Sequence, residues 1–398
     1  MDTVIDAVGP YLAEFERSGK NLPGLAGLRK AAIERFSERG FPTERDEAWR
    51  FTDVTPLAEV AFKAAAGTAN PNQFSGLARG ALKAVQLAFV DGRYAPAFST
   101  LALPPGVVVE SLGAILKAGP GPLEPRFTLP DAPFAALNTA FFSDGAVVRI
   151  PKGVQVGAPI HLLFLSSLHG DPYVTHPRVV VIAEEGSSAA IVQSWLGPAG
   201  GVYLTNAVTR VRAAAGARVD LVKVQRESRQ AFHLEFLEAE IARDASFTHH
   251  SISLGARLAR NDVRASLDGE GAECALYGLY EVAGDQHVDH HTAIDHRRPR
   301  GTSRELYKGI LDGRARAVFD GAITVRPGAQ KTSAIQTNKN LLLSKEALVH
   351  TKPQLEIFAD DVKCRHGATI GQLDEDVLFY LRSRGIGVAE ARRLLVHA

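Results

Sequence analysis

The chain is short of cysteine, methionine and tryptophan, with two, one and two residues among 398. Two thiols, Cys274 and Cys364, cannot build a disulfide framework, and neither has a CxxC partner, so the pattern speaks against a small secreted disulfide scaffold. An excess of either charge is missing too: 45 Lys and Arg face 44 Asp and Glu. Global attraction to nucleic acid or to an anionic membrane therefore has no basis in composition. No apolar run approaches the ~20 residues of a membrane span. The opening MDTVIDAVGPYLAEFERSGKNL lacks the positive start and unbroken apolar core of a signal peptide. These absences together predict a soluble cytoplasmic protein with no nucleic-acid or membrane partner. Nucleotide and nucleophile signatures are also wanting, since neither GxxxxGK[ST], nor GxGxxG opening a helix, nor GxSxG occurs. Any ATP dependence has to come from a partner.

What is present changes character along the chain. From Val4 to about Arg39, Val8, Leu12, Phe15, Leu25, Leu28, Ala32 and Phe36 recur at helical spacing, and Asn21 to Gly24 divides two helices. The run AVQLAFVDGRYAPAF alternates on both sides of Asp91-Gly92, a hairpin signal. In DAPFAALNTAFFSDG, Asp131 is expected to cap a short helix with Pro133 in its first turn, and Gly145 to end it. From Ala146 to about Gly371, short Val, Ile and Leu-rich runs alternate with Gly, Asp and charged turns. Four turns look alike, at Gly186, Gly216, Asp244 and Gly271, spaced by about 30, 28 and 27 residues. Two strands per unit of that length fit a parallel β-helix, in which each coil buries its apolar face on the next. A sandwich or barrel with regular strand spacing is the alternative. From Leu373 the pattern is helical again, with Asp374 as cap, Gly385 as divider and Leu378, Leu381, Leu394 and Leu395 as apolar positions. The regions expected are an N-terminal helical part (1–80), a small mixed α/β segment (81–142), a β-helix core (143–373) and a C-terminal helical part (374–398).

Chemistry is concentrated in ADDVKCRHGATIGQLDED, residues 359–376. On a strand, Cys364 and His366 face the same side. A thiolate and an imidazole suit iron or sulfide, but two ligands do not complete a site, so further ligands must come from another chain or a bound thiol. The bland alternative makes Cys364 a small packed residue and His366 an ordinary surface one. A second concentration is QHVDHHTAIDH, with His287, Asp289, His290, His291, Asp295 and His296. Its spacing is not HExxH, and hydrogen-bonded imidazoles on an outer face explain it better than zinc held by His287, His291 and His296. His249 and His250 are read the same way. Asp360, Asp361, Asp374, Glu375 and Asp376 read as a solvated turn and a helix start.

Several segments resemble one family: FPTERDEAWRFTDVTPL (41–57), ALNTAFFSDGAVVRIPKGV (136–154), HPRVVVIAEEGSSA (176–189), ELYKGILDGRARAVFDGAITV (305–325), and QTNKNLLLSKEA through LRSRGI (336–386). They resemble the SufD proteins, which with the related SufB form the scaffold of the Suf iron-sulfur cluster assembly complex. The resemblance implies a mainly β fold, a right-handed parallel β-helix flanked by N- and C-terminal helical regions. It implies a non-catalytic scaffold subunit that pairs with SufB through the β-helices and docks the SufC ATPase on the C-terminal helices, here within 374–398. It also implies a nascent iron-sulfur cluster at the SufB–SufD junction, transient and not held tightly by this chain alone. By motif, SufD supplies His366 to that site, with Cys364 in the neighbouring cysteine position. The motif CRHGATIGQLDED matches the SufD version and not the acidic CEHEA version of SufB. In the strand the family writes QHxDNHTxxDH, His290 replaces asparagine. Family members continue with further helix past the Leu394-Leu395 pair, so a shortened docking surface is expected where this sequence ends at Ala398.

Overall fold

In the computed structural model, which describes residues 7–65, 85–100 and 102–397, the alternating apolar residues line the inside of a coil wound from two parallel sheets. The N-terminal elements are α1 (Gly9–Arg17), α2 (Ala26–Arg39), α3 (Thr55–Ala58), β1 (Lys63–Ala64), β2 (Val85–Val90), β3 (Arg93–Tyr94), β4 (Val108–Ser111), α4 (Leu112–Ala118) and α5 (Pro133–Phe141). The solenoid strands follow: β5 (Gly145–Ile150), β6 (Ile160–Leu165), β7 (Tyr173–Thr175), β8 (Arg178–Ala183), β9 (Ser188–Leu196), β10 (Tyr203–Ala213), β11 (Arg218–Arg226), β12 (Phe232–Ile241), β13 (Ser246–Ser253), β14 (Leu258–Leu267), β15 (Glu273–Val282), β16 (His287–His296), β17 (Thr302–Leu311), β18 (Arg316–Val325), β19 (Ser333–Leu342), β20 (Leu348–Ile357) and β21 (Lys363–Gln372). Two helices, α6 (Glu375–Ser383) and α7 (Val388–His397), close the chain.

One sheet runs β5-β8-β10-β12-β14-β16-β18-β20 and the other β6-β9-β11-β13-β15-β17-β19-β21, every pair parallel. The protein is thus a β-solenoid of about eight turns with helices at both ends. A sandwich would need antiparallel or mixed pairing, so parallel pairing between successive coils decides against it.

The four look-alike turns explain the spacing. Gly186, Gly216, Asp244 and Gly271 all take left-handed backbone, with φ of 65°, 66°, 54° and 69°. Each donates its amide N–H to the turn of the next coil: Gly186 to Ala215, Gly216 to Arg243, Asp244 to Glu270 and Gly271 to Pro299. The column continues through Arg300 (φ 59°) and Lys331 (φ 62°), whose amides bond the carbonyls of Gln330 and Asp361.

Inside, aliphatic and aromatic side chains stack coil upon coil from Leu87 to Ala359 in one continuous core. Ring stacking of Phe164 on Trp195, centroids 4.0 Å apart, is typical of it. The N-terminal region lies over the outer face of the first sheet. Asn138 of α5 donates to the carbonyls of Pro177 and Asn206 at 3.0 and 2.8 Å. Residues 47–52 form a strap across β14, β16, β18 and β20. Buried Arg260 donates to the Ala48 carbonyl at 2.7 Å and stacks 3.7 Å over Trp49, and the Thr52 hydroxyl donates to Asp289 at 2.6 Å. Farther along, Phe51 stacks on His350 at 4.0 Å and Glu47 pairs with Lys352 at 2.7 Å.

The Asp91-Gly92 hairpin forms as expected, both residues with positive φ, and pairs β2 with β3. Two local expectations fail. Asp131 does not cap α5; Ala132 holds that position without a side-chain cap, and Asp131 instead pairs with Arg39 at 2.8 Å and Arg35 at 3.3 Å. Proline at N1 has no N–H to satisfy, which frees the aspartate for the two arginines. Gly145 does not end the helix, which stops at Phe141; it opens β5 with φ 144°, where a Cβ would lie 1.8 Å from the Arg178 carbonyl oxygen. The expected boundary at 80/81 lies outside the described residues. Among those residues, no helix is long and apolar enough to cross a membrane.

The two ends of the solenoid differ. At the start, antiparallel β3 and β4 cover the sheets. At the far end β20 and β21 carry no further strand among the described residues.

Candidate functional site

The last strand places the predicted pair. In β21, Cys364 and His366 stand two apart and so share a face, and their register partners on β19 are Ala334 and Gln336. Both partners are fully buried, so that face is the inside of the solenoid. Cys364 is half-buried and packs against the last layer of core. Burial pushes its thiol up, against the pull of the Ala334 backbone. His366, two residues further along, is exposed because no coil follows above it among the described residues. A thiol and an imidazole thus sit side by side on an open edge, where a soft and a borderline ligand can reach a metal or sulfide presented from outside.

Around them the end is apolar and unfinished. Ile357, Phe358 and Ile370 are exposed on the last coil, and Leu355 is only partly covered. An unpaired parallel edge exposes backbone donors and acceptors together with this surface, and so offers a template for another strand. Beyond it, the Asp374 carboxylate caps α6 by accepting from the amides of Asp376 and Val377 at 2.9 and 3.2 Å, as expected. Gly385 (φ 86°) divides α6 from α7. The two helices leave Phe379, Tyr380, Val388 and Leu394 exposed, Phe379 by 71%.

The histidine-rich strand β16 is split by its own alternation. His290 and His296 point inward and are fully buried, whereas His287, Asp289, His291 and Asp295 face outward. Asp289 is buried beneath the strap, accepting from Thr52 and Arg260 and pairing with His291 at 3.0 Å. Burial would raise its carboxyl, but Arg260 and His291 hold it far below the usual range. His287, His291 and His296 therefore do not converge on one zinc. The outer-face expectation holds for His287 and His291 and fails for His290 and His296. His249 is also internal and contacts the Leu221 carbonyl at 3.1 Å, while its neighbour His250 lies on the outer side against Tyr277. Among the described residues, no group of three or more His, Cys, Asp or Glu side chains could hold a metal.

Sequence reading missed a column of buried polar residues inside the solenoid. Lys223 pairs with Glu235 and donates to Asn261, His233 pairs with Glu227 at 2.7 Å, and the Gln336 amide donates to Glu305 at 2.7 Å. Alternation could have found it only through its parity with aliphatic neighbours. In TSRELYKGIL, Ser303, Glu305 and Tyr307 share the face of Leu311, whereas Leu306 and Ile310 share the outer one.

Comparison with known proteins bears on this geometry. Residues 166–398 match the model of the SUF system FeS cluster assembly SufBD core domain, and residues 17–162 match the SufBD protein N-terminal region. The chain belongs to the SufBD family. It is 34% identical over 391 residues to an iron-sulfur cluster assembly SufBD family protein of Synechocystis, covering 94% of this chain and 85% of that one. It is 32% identical over 372 residues to the iron-sulfur cluster assembly protein SufD of Escherichia coli, covering 92% and 85%. Membership in the SufBD family gives the chain a role in iron-sulfur cluster assembly and makes it SufD-like.

Proposed function

We propose that this chain is the SufD-type scaffold subunit of a cytoplasmic Suf complex. It is not itself an enzyme. It pairs with a SufB chain through the open end of the solenoid, docks a SufC ATPase on residues 374–398, and lends His366 to a nascent iron-sulfur cluster shared with SufB. The observation that carries this reading is the exposed imidazole of His366 beside half-buried Cys364 on the edge strand β21. One imidazole and one thiol leave a tetrahedral iron short of ligands, so a second chain has to complete the site. The apolar last coil, which no further strand covers among the described residues, supports strand-to-strand pairing there, and exposed Phe379, Tyr380, Val388 and Leu394 support a helical docking surface. ATP hydrolysis belongs to the docked partner, a reading supported by the lack of a GxxxxGK[ST] motif in this sequence.

The test is co-expression with SufB and SufC chains, separation by size, and iron and sulfide analysis of the complex. The expected result is a stable three-component complex whose His366→Ala variant assembles normally and loses its cluster. Failure to associate would sink the scaffold reading. A complex whose His366→Ala form keeps its cluster would remove His366 from the site. Cys364→Ser in the same assay decides whether the thiol is a ligand or a packed residue.

A further inference from the structure

Directly beneath His366 in the sheet lies Gln336, and beneath Gln336 lies Glu305, each in register on successive strands β21, β19 and β17. Gln336 and Glu305 are buried to 0% and 1% exposure. The Gln336 Nε2 amide donates to Glu305 Oε2 at 2.7 Å, which leaves Gln336 Oε1 a buried acceptor without a partner. The place of that amide is specified by the opposite sheet. Gly321 of β18 leaves the room it occupies, for a Cβ there would lie 2.3 Å from Gln336 Nε2 and 3.0 Å from the Thr292 hydroxyl oxygen.

From this we propose that Glu305 and Gln336 are positioning residues for His366: Glu305 holds the Gln336 amide so that its oxygen, without a partner in the chain, is left to accept one ring N–H of His366, and the other ring nitrogen stays bare for a metal. A histidine ligand needs one unprotonated nitrogen, and which one is bare is set by the hydrogen bond the other makes. The assignment rests on the reading of His366 as a cluster ligand. It adds to that reading the groups that choose its tautomer.

The arrangement depends on the charge of Glu305. Ionised, Glu305 only accepts, so the Gln336 NH2 must face it and the amide oxygen is the atom left for His366. Protonated, it donates to the Gln336 oxygen, the amide turns round, and an NH2 meets the imidazole in place of an acceptor. Burial raises the Glu305 carboxyl to about 7, against the pull of Thr292 and Gln336. The titratable groups facing it are the Cys274 thiol from β15 and the Tyr307 phenol of its own strand, both pushed up by burial and both neutral in this range. The opposite sheet contributes Thr292 from β16 and Phe319 and Gly321 from β18, none of them titratable.

The experiment uses the full chain with nitrogen-15 in its histidine rings, and His366→Ala identifies the His366 signals. Recorded at about pH 8, the two ring nitrogen signals report the tautomer directly. The expected result is a wild-type tautomer ratio displaced from that of a solvent-exposed histidine, which itself favours the Nε2–H form, the loss or reversal of that displacement in Glu305→Gln, and the solvent-exposed ratio in Gln336→Leu. Gln336→Leu removes the acceptor without adding a charge, so it keeps the test decisive if Glu305→Gln does not fold. The same tautomer ratio in wild type and in the folded variants overturns the proposal. In the complex with SufB and SufC chains, Glu305→Gln is expected to lower cluster content about tenfold, the scale of lost support to a metal ligand. Wild-type cluster content is expected to fall as pH drops through about 7, and that of Glu305→Gln is not. A normal cluster in His366→Ala would refute the ligand reading while the tautomer result stood on its own, so the two failures are distinguishable.

Discussion

Replacing Lys223 by methionine isolates one buried charge in the middle of the solenoid. The Lys223 ammonium is fully enclosed between the Glu235 carboxylate and the Asn261 side-chain oxygen, and Glu235 also accepts from Thr209 at 3.1 Å. Methionine fills similar volume, so the packing loss is small and the main effect is a carboxylate stripped of its counter-ion. Breaking a buried pair in this way costs about 3–5 kcal/mol. Burial alone would raise the Glu235 carboxyl, but Lys223 and His233 hold it below the ordinary carboxylate value. In the wild type its stabilising contribution is therefore present above the unfolded pKa of ~4.3 and lost only as pH falls through the lowered folded value. Without Lys223 the carboxyl rises instead, and the variant escapes its penalty by taking up a proton. The gap between wild type and Lys223→Met is thus expected to be widest near pH 7 and to narrow toward about pH 4. Urea denaturation followed by tryptophan fluorescence reads it directly, because Trp195 is 2% exposed and stacked on Phe164 in the same core. A further Glu235→Leu change is expected to recover a good part of the loss, since a matched apolar pair leaves no buried charge. A gap that stays constant across this range, or a Lys223→Met protein as stable as wild type at pH 7, would refute the reasoning.

Two other outcomes follow from single polar side chains. Thr52→Val removes the donor that holds Asp289 under the strap and is expected to cost about 1–3 kcal/mol, with faster proteolysis in the 47–52 region while the solenoid stays folded. Asp374→Ala removes the α6 cap and is expected to cost about 1 kcal/mol locally, read as faster amide exchange over 375–383 with β19 and β21 unchanged.

Much of this molecule could be read from short-range rules. Asp91-Gly92, Asp374 and Gly385 did what their chemistry requires, and the parity of Cys364 and His366 on one strand put them on one face. The turns at Gly186, Gly216, Asp244 and Gly271 betrayed the coil because glycine and aspartate tolerate left-handed backbone. The same column was invisible at Arg300 and Lys331, which take that conformation against their own preference because the stacked turns above and below impose it. Alternation also does not say which strand lies next to which, so solenoid and sandwich could not be separated on periodicity alone. Nor does it reveal polarity turned inward. Glu305, Gln336 and Lys223 occupy core positions that hydrophobic patterning assigns to the outside, and the histidines of β16 divide between two environments for the same reason. Asp131 was misread because a capping residue is defined by where the chain bends, which Pro133 and the two arginines of α2 decide together.

The unequal ends of the solenoid govern how far an assembly can grow. A stack with two sticky ends adds units without limit and becomes a fibre. Here the first coil presents, among the described residues, only the short antiparallel strands β3 and β4, while β20 and β21 stand open. Joining two such stacks at their open ends uses up both and leaves no open solenoid edge among the described residues. Strand-to-strand growth of the solenoid is therefore confined, among the described residues, to one end, and it leaves the α6 and α7 surface free for a contact of another kind.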